Sequence, residues 1–175
     1  MLRRADVVTV LGAIICVLAG SIVSLGYSLV ISSLLFFLGS VADLVDGKLA
    51  RFESLTPRPK GVFIDAFSDK VGEDAVLIGI CITTQDATLA TAVAVAAILG
   101  LTTSYCKALA TASGIHVKWQ YVRFWGRTMR VLILGGGLLL SGICESDKGI
   151  LLTVITLGIF NALSLIERTY RIARS

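Results

Sequence analysis

The chain predicts an all-α integral membrane protein, a single domain over residues 1–175 built as a six-transmembrane-helix bundle with both termini cytoplasmic. Three observations lead there. Of the 175 residues, 55% are hydrophobic and 16% charged, with a mean hydropathy of +0.86; a soluble core of that size cannot hide so much apolar surface. The apolar runs are continuous rather than alternating, which selects helices, because an open sheet leaves unpaired backbone groups in lipid. The basic residues gather in alternate loops.

A span needs about 20 mostly apolar residues. The first is Val7–Leu25. Met1-Leu2-Arg3-Arg4 leads into it with no small-residue cleavage site, so it is expected to stay as a span rather than leave as a signal peptide. The second, Ser28–Arg51, closes on acidic and basic residues. The third, Gly61–Thr83, opens on more of them, after a surface loop holding Thr56-Pro57-Arg58-Pro59. The fourth, Thr88–Ser113, and the fifth, Arg127–Ile143, carry small residues (Ala90 to Gly100, and Gly135-Gly136-Gly137) that let helices approach closely. The sixth is Gly149–Ile166. Arg3 and Arg4, then Arg51, Arg58 and Lys60, then Lys107, Lys118, Arg123, Arg127 and Arg130, and finally Arg168, Arg171 and Arg174 mark one side of the membrane. The opposite loops hold Gly26-Tyr27, Gln85-Asp86, and Glu145, Asp147 and Lys148. The positive-inside rule makes the first side cytoplasmic. The formal net charge of +4 therefore records topology, and no nucleic-acid partner is expected. Cys16, Cys81, Cys106 and Cys144 stand singly in apolar segments, without metal-ligand spacing, and read as small packing residues.

Against this background four aspartates stand out, in Asp43-x-x-Asp46-Gly47-x-x-Ala50-Arg51 and Gly61-x-x-x-Asp65-x-x-x-Asp69. Residues at i, i+3 or i, i+4 share a helix face, so each pair projects together. The spans that carry them are expected to be antiparallel neighbours whose carboxylates converge at the cytoplasmic face. Clustered acids at membrane depth persist mainly where they do chemistry. Such hard oxygen ligands select magnesium, manganese or calcium. Gly47 and Ala50 remove bulk beside the acids, and Arg51 offers a planar donor for phosphate. The set reads as a metal site holding a diphosphate. A lone acid near a helix end is usually solvated or salt-bridged, but two pairs with Gly, Ala and Arg at fixed offsets are not explained that way. Glu73 and Asp74 lack such a frame and read as packing partners inside the bundle or at its interface.

The string DLVDGKLAR…GVFIDAFSD resembles the signature of the CDP-alcohol phosphotransferase (phosphatidyltransferase) family: all eight of its ordered Asp, Gly, Ala and Arg positions are filled, across a nine-residue spacer from Phe52 to Lys60. The resemblance implies six transmembrane helices, a homodimer, and transfer of a phosphatidyl-type group from a CDP-linked lipid to an alcohol with release of CMP. It also implies multi-pass placement in the cell (plasma) membrane, with the site facing the cytoplasm. It further implies two divalent ions, Mg²⁺ or Mn²⁺, one on Asp43, Asp46 and Asp65 and a second on Asp43, Asp65 and Asp69. Asp69 would also act as general base, and Gly47, Ala50 and Arg51 would meet the CDP moiety.

Three further stretches bear on the acceptor. Asp6-Val7-Val8-Thr9 resembles the nucleotide-contacting entry of phosphatidylinositol phosphate and archaetidylinositol phosphate synthases, although the usual preceding proline is Ala5 here. Ser104-Tyr105-Cys106-Lys107-Ala108 and Arg127-x-x-Arg130 are similar to stretches of the same enzymes. Lys107, Arg127 and Arg130 are the expected donors for a phosphate on the acceptor, although the same charges also serve topology and anionic headgroups. Lys118 and Arg123 are weaker candidates for that pocket. His116, Trp119 and Trp125 read as interfacial. The expected acceptor is myo-inositol 1-phosphate. Its competitor is glycerol 3-phosphate, which Lys70, directly after Asp69, favours by resemblance. Outside this chemistry, a membrane cation transporter would use the acids but not Gly47, Ala50 and Arg51 at these offsets, and a non-catalytic scaffold would need none of them.

Overall fold

The computed structural model describes residues 4–53, 59–115 and 126–174, and the side chains of 4–5 and 43–53 lie outside the described set. Among the described residues there are six helices: α1 (Arg4–Ser24), α2 (Leu29–Glu53), α3 (Pro59–Thr83), α4 (Ala87–Ala112), α5 (Arg127–Ile143) and α6 (Asp147–Ala173). Their ends follow local chemistry. Past Ser24, Gly26 takes φ +71°, and the N–H groups of Gly26 and Tyr27 return to the Val23 and Ile22 carbonyls, the left-handed ending that glycine tolerates. α3 opens on Pro59, whose missing N–H needs no partner in a first turn. Asp86 caps α4 by accepting from Thr88 N at 2.8 Å, and Ser146 caps α6 by accepting from Gly149 N. α1, α4 and α6 are each long and apolar enough to cross a membrane. α2 offers a shorter apolar stretch, Leu29–Ala42. α3 carries Asp65, Asp69, Lys70, Glu73 and Asp74, and α5 has 17 residues.

The helices pack as a closed ring, in the order α2, α1, α3, α4, α6, α5 and back to α2. α1 stands between α2 and α3, which touch each other only sparsely. The expectation that α2 and α3 are direct neighbours is thus corrected. Small residues on α1 explain the wedge. A Cβ on Gly12 would sit 2.8 Å from the Gly39 carbonyl, and one on Gly20 would run into the Ala75 carbonyl. Both sides of α1 therefore admit a backbone at close range. Ser32 Oγ donates to the Ala19 carbonyl at 2.9 Å and Ser33 Oγ to the Gly135 carbonyl at 2.7 Å, both with no exposure. Such cross-helix bonds contribute about 0.6 kcal/mol each in membrane bundles. Leu77, Ile80, Leu134, Leu138, Val154 and Leu157 fill the apolar core.

Neighbour pairs give each helix its direction. Asp6 meets Gly61, and Cys16 meets Gly72, so α1 and α3 run parallel. Asn161 Nδ2 donates to the Ala96 carbonyl at 3.1 Å, and Arg168 Nη1 to that of Thr103 at 2.9 Å, so α4 and α6 are parallel too. Gly12 against Gly39, Ser33 on Gly135 and Gly137 against Thr153 set the remaining contacts antiparallel. The starts of α1, α3 and α5 and the ends of α2, α4 and α6 therefore share one end of the ring.

Candidate active site

Every described residue singled out as chemical lies toward that end. Asp6 and Thr9 are buried in the first turns of α1, and Asp6 Oδ1 lies 3.6 Å from where a Cβ on Gly61 would be. The entry of α1 is thus laid against the entry of α3. Asp65 and Asp69 follow on α3 at i and i+4, the first exposed and the second half-buried. A narrow cleft runs between α1, α2, α3 and α5. It is lined by Thr9 and Gly12, Gly39, Asp69 and Glu73, and Arg127. The expected nucleotide-contacting, catalytic and acceptor-binding segments each contribute a side chain to it. Val7 is exposed and Val8 half-buried on α1. Lys107 is exposed near the end of α4.

Two ion pairs cross the interior of the ring from α3 to α5, helices with little or no backbone contact between them. Arg127 Nη1 lies 2.5 Å from Asp69 Oδ1, with side chains 25% and 20% exposed, and Arg130 Nε lies 3.0 Å from Glu73 Oε2, with side chains 8% and 7% exposed. Arg130 thus has a carboxylate as its immediate partner, where the sequence led us to expect an acceptor phosphate. Lys70 turns the other way. It is buried, 3.3 Å from Glu73 Oε1 and 3.2 Å from Asp74 Oδ1. It reaches α4 at Gly100, where an added Cβ would lie 2.8 Å from its Nζ and 3.1 Å from Asn161 Nδ2. An ammonium so placed is not a donor for a substrate in the cleft. Glu73 and Asp74 are the interior partners the sequence suggested. Asn161 and Arg168, both buried, were missed as interior polar groups. The signal for the first was a lone amide in an apolar span, and the second was counted only as a topology charge.

Asp43, Asp46, Gly47, Ala50 and Arg51 fall on the final turns of α2, and their side chains lie outside the described residues, as do His116, Lys118, Trp119, Arg123 and Trp125. Among the described residues no three His, Cys, Asp or Glu side chains gather as a metal cluster. The described acids nevertheless fit a hard divalent cation. Asp65 and Asp69 are oxygen donors on one face, and Asp69 already holds a cation, the Arg127 guanidinium.

A family model described as CDP-alcohol phosphatidyltransferase matches residues 2–164. Comparison with curated proteins gave no match. Among solved structures, the chain is similar to phosphatidylinositol phosphate synthase of Mycobacterium tuberculosis. The structure with CDP-DAG bound aligns at TM-score 0.82 and 22% identity over 97% of this chain and 86% of that one. The structure with manganese and citrate gives the same score and identity, covering 97% of this chain and 82% of that one, and the apo form does so over 97% and 89%. At that identity the likeness is one of fold.

Proposed function

The chain belongs to the CDP-alcohol phosphatidyltransferase family and is a membrane-bound transferase of phospholipid biosynthesis; from that premise we propose that it moves a phosphatidyl-type group, diacyl or archaetidyl, from a CDP-linked lipid to myo-inositol 1-phosphate and releases CMP. The observation that carries this reading is the shared cleft, in which Thr9, Asp69 and Arg127 come together from three helices. Asp69 accepts the proton of the acceptor hydroxyl as its oxygen attacks the β-phosphorus. The bond from that phosphorus to the bridging oxygen breaks, and its electron pair leaves with CMP. Asp6 to Thr9 and Gly47, Ala50 and Arg51 hold the nucleotide side. Arg127 and Lys107 meet the acceptor's phosphate, with Arg130 behind them. Asp43, Asp46, Asp65 and Asp69 would hold one or two Mg²⁺ or Mn²⁺ ions, whose charge offsets that of the diphosphate during transfer. We place all six helices across the cell membrane, both termini and the cleft on the cytoplasmic side, and two chains in a homodimer.

Glycerol 3-phosphate loses its main support, because Lys70 is occupied by Glu73 and Asp74. CMP release from purified protein with CDP-diacylglycerol or CDP-archaeol, with and without Mg²⁺, separates the acceptors. Inositol 1-phosphate is expected to support Mg²⁺-dependent release that glycerol 3-phosphate does not. Release with glycerol 3-phosphate alone would move the assignment to that acceptor. Silence with both would remove the phosphate-binding role of Arg127 and Lys107.

A further inference from the structure

The α3–α5 ion pairs are two rungs of one clamp with different characters. Asp69 and Glu73 stand one turn apart on α3, and Arg127 and Arg130 one turn apart on α5. The Arg130–Glu73 rung is shut away from water, and opening it would leave a charge buried without its partner, a strongly unfavourable state. The Arg127–Asp69 rung lines the cleft, and its side chains are more exposed than those of the inner rung although the paired atoms themselves are out of water, so it is the rung that a ligand entering the cleft can reach. α5 is therefore anchored whether or not Arg127 keeps hold of Asp69. A guanidinium and a divalent cation cannot both sit on the same carboxylate oxygen without strong mutual repulsion.

We propose that Arg127 is a releasable counter-ion latch. It neutralises Asp69 until a divalent cation takes that place, and the freed guanidinium then remains in the cleft to meet the acceptor's phosphate. The inference rests on the metal-site reading above and adds an order to it: the phosphate donor becomes available only once the acid has found its metal. By linkage, whatever engages Arg127 also raises the affinity of Asp69 for metal.

The test is a Mn²⁺ titration of the purified full chain without lipid substrate, read from the spin-resonance signal of free Mn²⁺. Removing the latch in Arg127→Gln is expected to tighten Mn²⁺ binding by about fivefold, the upper end for a partly exposed pair. Arg171→Gln, which removes a like charge paired to Glu167 elsewhere on α6, is expected to leave it unchanged. Unchanged or weaker binding in Arg127→Gln overturns the latch, and so does an equal gain in Arg171→Gln, which would make the effect one of bulk charge. Should Arg127→Gln fail to fold, Arg127→Lys keeps the charge but loses the planar fork. It must then tighten binding about twofold, a smaller gain of the same origin. Asp65→Asn and Asp69→Asn separate the two levels. If they weaken Mn²⁺ binding while Arg127→Gln changes nothing, the metal site stands and only the latch falls. If wild-type binding ignores both, the metal reading falls and takes the latch with it.

Discussion

Asp69 and Lys70 are adjacent in the chain and opposed in space. One residue along a helix turns the side chain by about 100°, so Asp69 faces α5 across the cleft while Lys70 faces α4 and α6. Different losses follow from removing each. Asp69→Asn keeps the volume and removes the proton acceptor, so CMP release should fall at least about 10²-fold with the helical circular dichroism unchanged. Retained turnover would exclude Asp69 as the base. Lys70→Met strips Glu73 and Asp74 of a buried counter-ion and should lower stability by about 3 kcal/mol, seen as a drop in Tm. The acceptor preference of the protein that remains folded should not move. A changed preference would show that Lys70 reads the acceptor after all. Adjacency in a motif could not reveal this division, because the phase of Lys70 matters only once α4 and α6 are in place around it.

At the scale of elements, hydropathy located each of the described helices and misjudged the ends of all but α5. α5 was read as Arg127–Ile143 and is that helix. α6 continues beyond Ile166 to Ala173, because hydropathy registers the thickness of lipid while a helix follows its own hydrogen bonds. Beyond the apolar part it gains an Arg171–Glu167 pair at 2.7 Å and Arg174 stacked over Tyr170. The aspartate motif pointed to candidate residues and predicted that they stand on helices, as α2 and α3 do at those positions. It could not show that α1 stands between the helices bearing the two halves, since that depends on small residues of α1 meeting Gly39, Gly72 and Gly79. Those contacts give a matched pair of expectations. A Cβ at Gly79 would run into the Gly20 carbonyl, whereas one at Gly136 meets nothing within 4 Å. Gly79→Ala should cost about 1–3 kcal/mol, as overpacking does. Gly136→Ala should cost nothing and gain a little helix propensity. Thermal unfolding of both variants in detergent decides it, and equal Tm values would place the α1–α3 contact elsewhere.

For the whole molecule, the ring puts the starts of the odd helices and the ends of the even ones together. If all six cross the membrane, a cysteine at Lys60 and one at Thr84, in a background lacking the four native cysteines, must label from opposite sides of sealed vesicles with an impermeant maleimide. Labelling from the same side would mean that α3 does not span. The order of helices around the ring also has a bearing on biogenesis. As the chain is synthesised, α1 and α2 can pair at once, and α3 adds to the free side of α1. α5 must then settle beside α2, across an interior still open toward α4. Among the described helices α6 packs along both α4 and α5, so it is the keystone: the interior where α3 and α5 pair their charges is sealed from lipid only when α6 has slotted in.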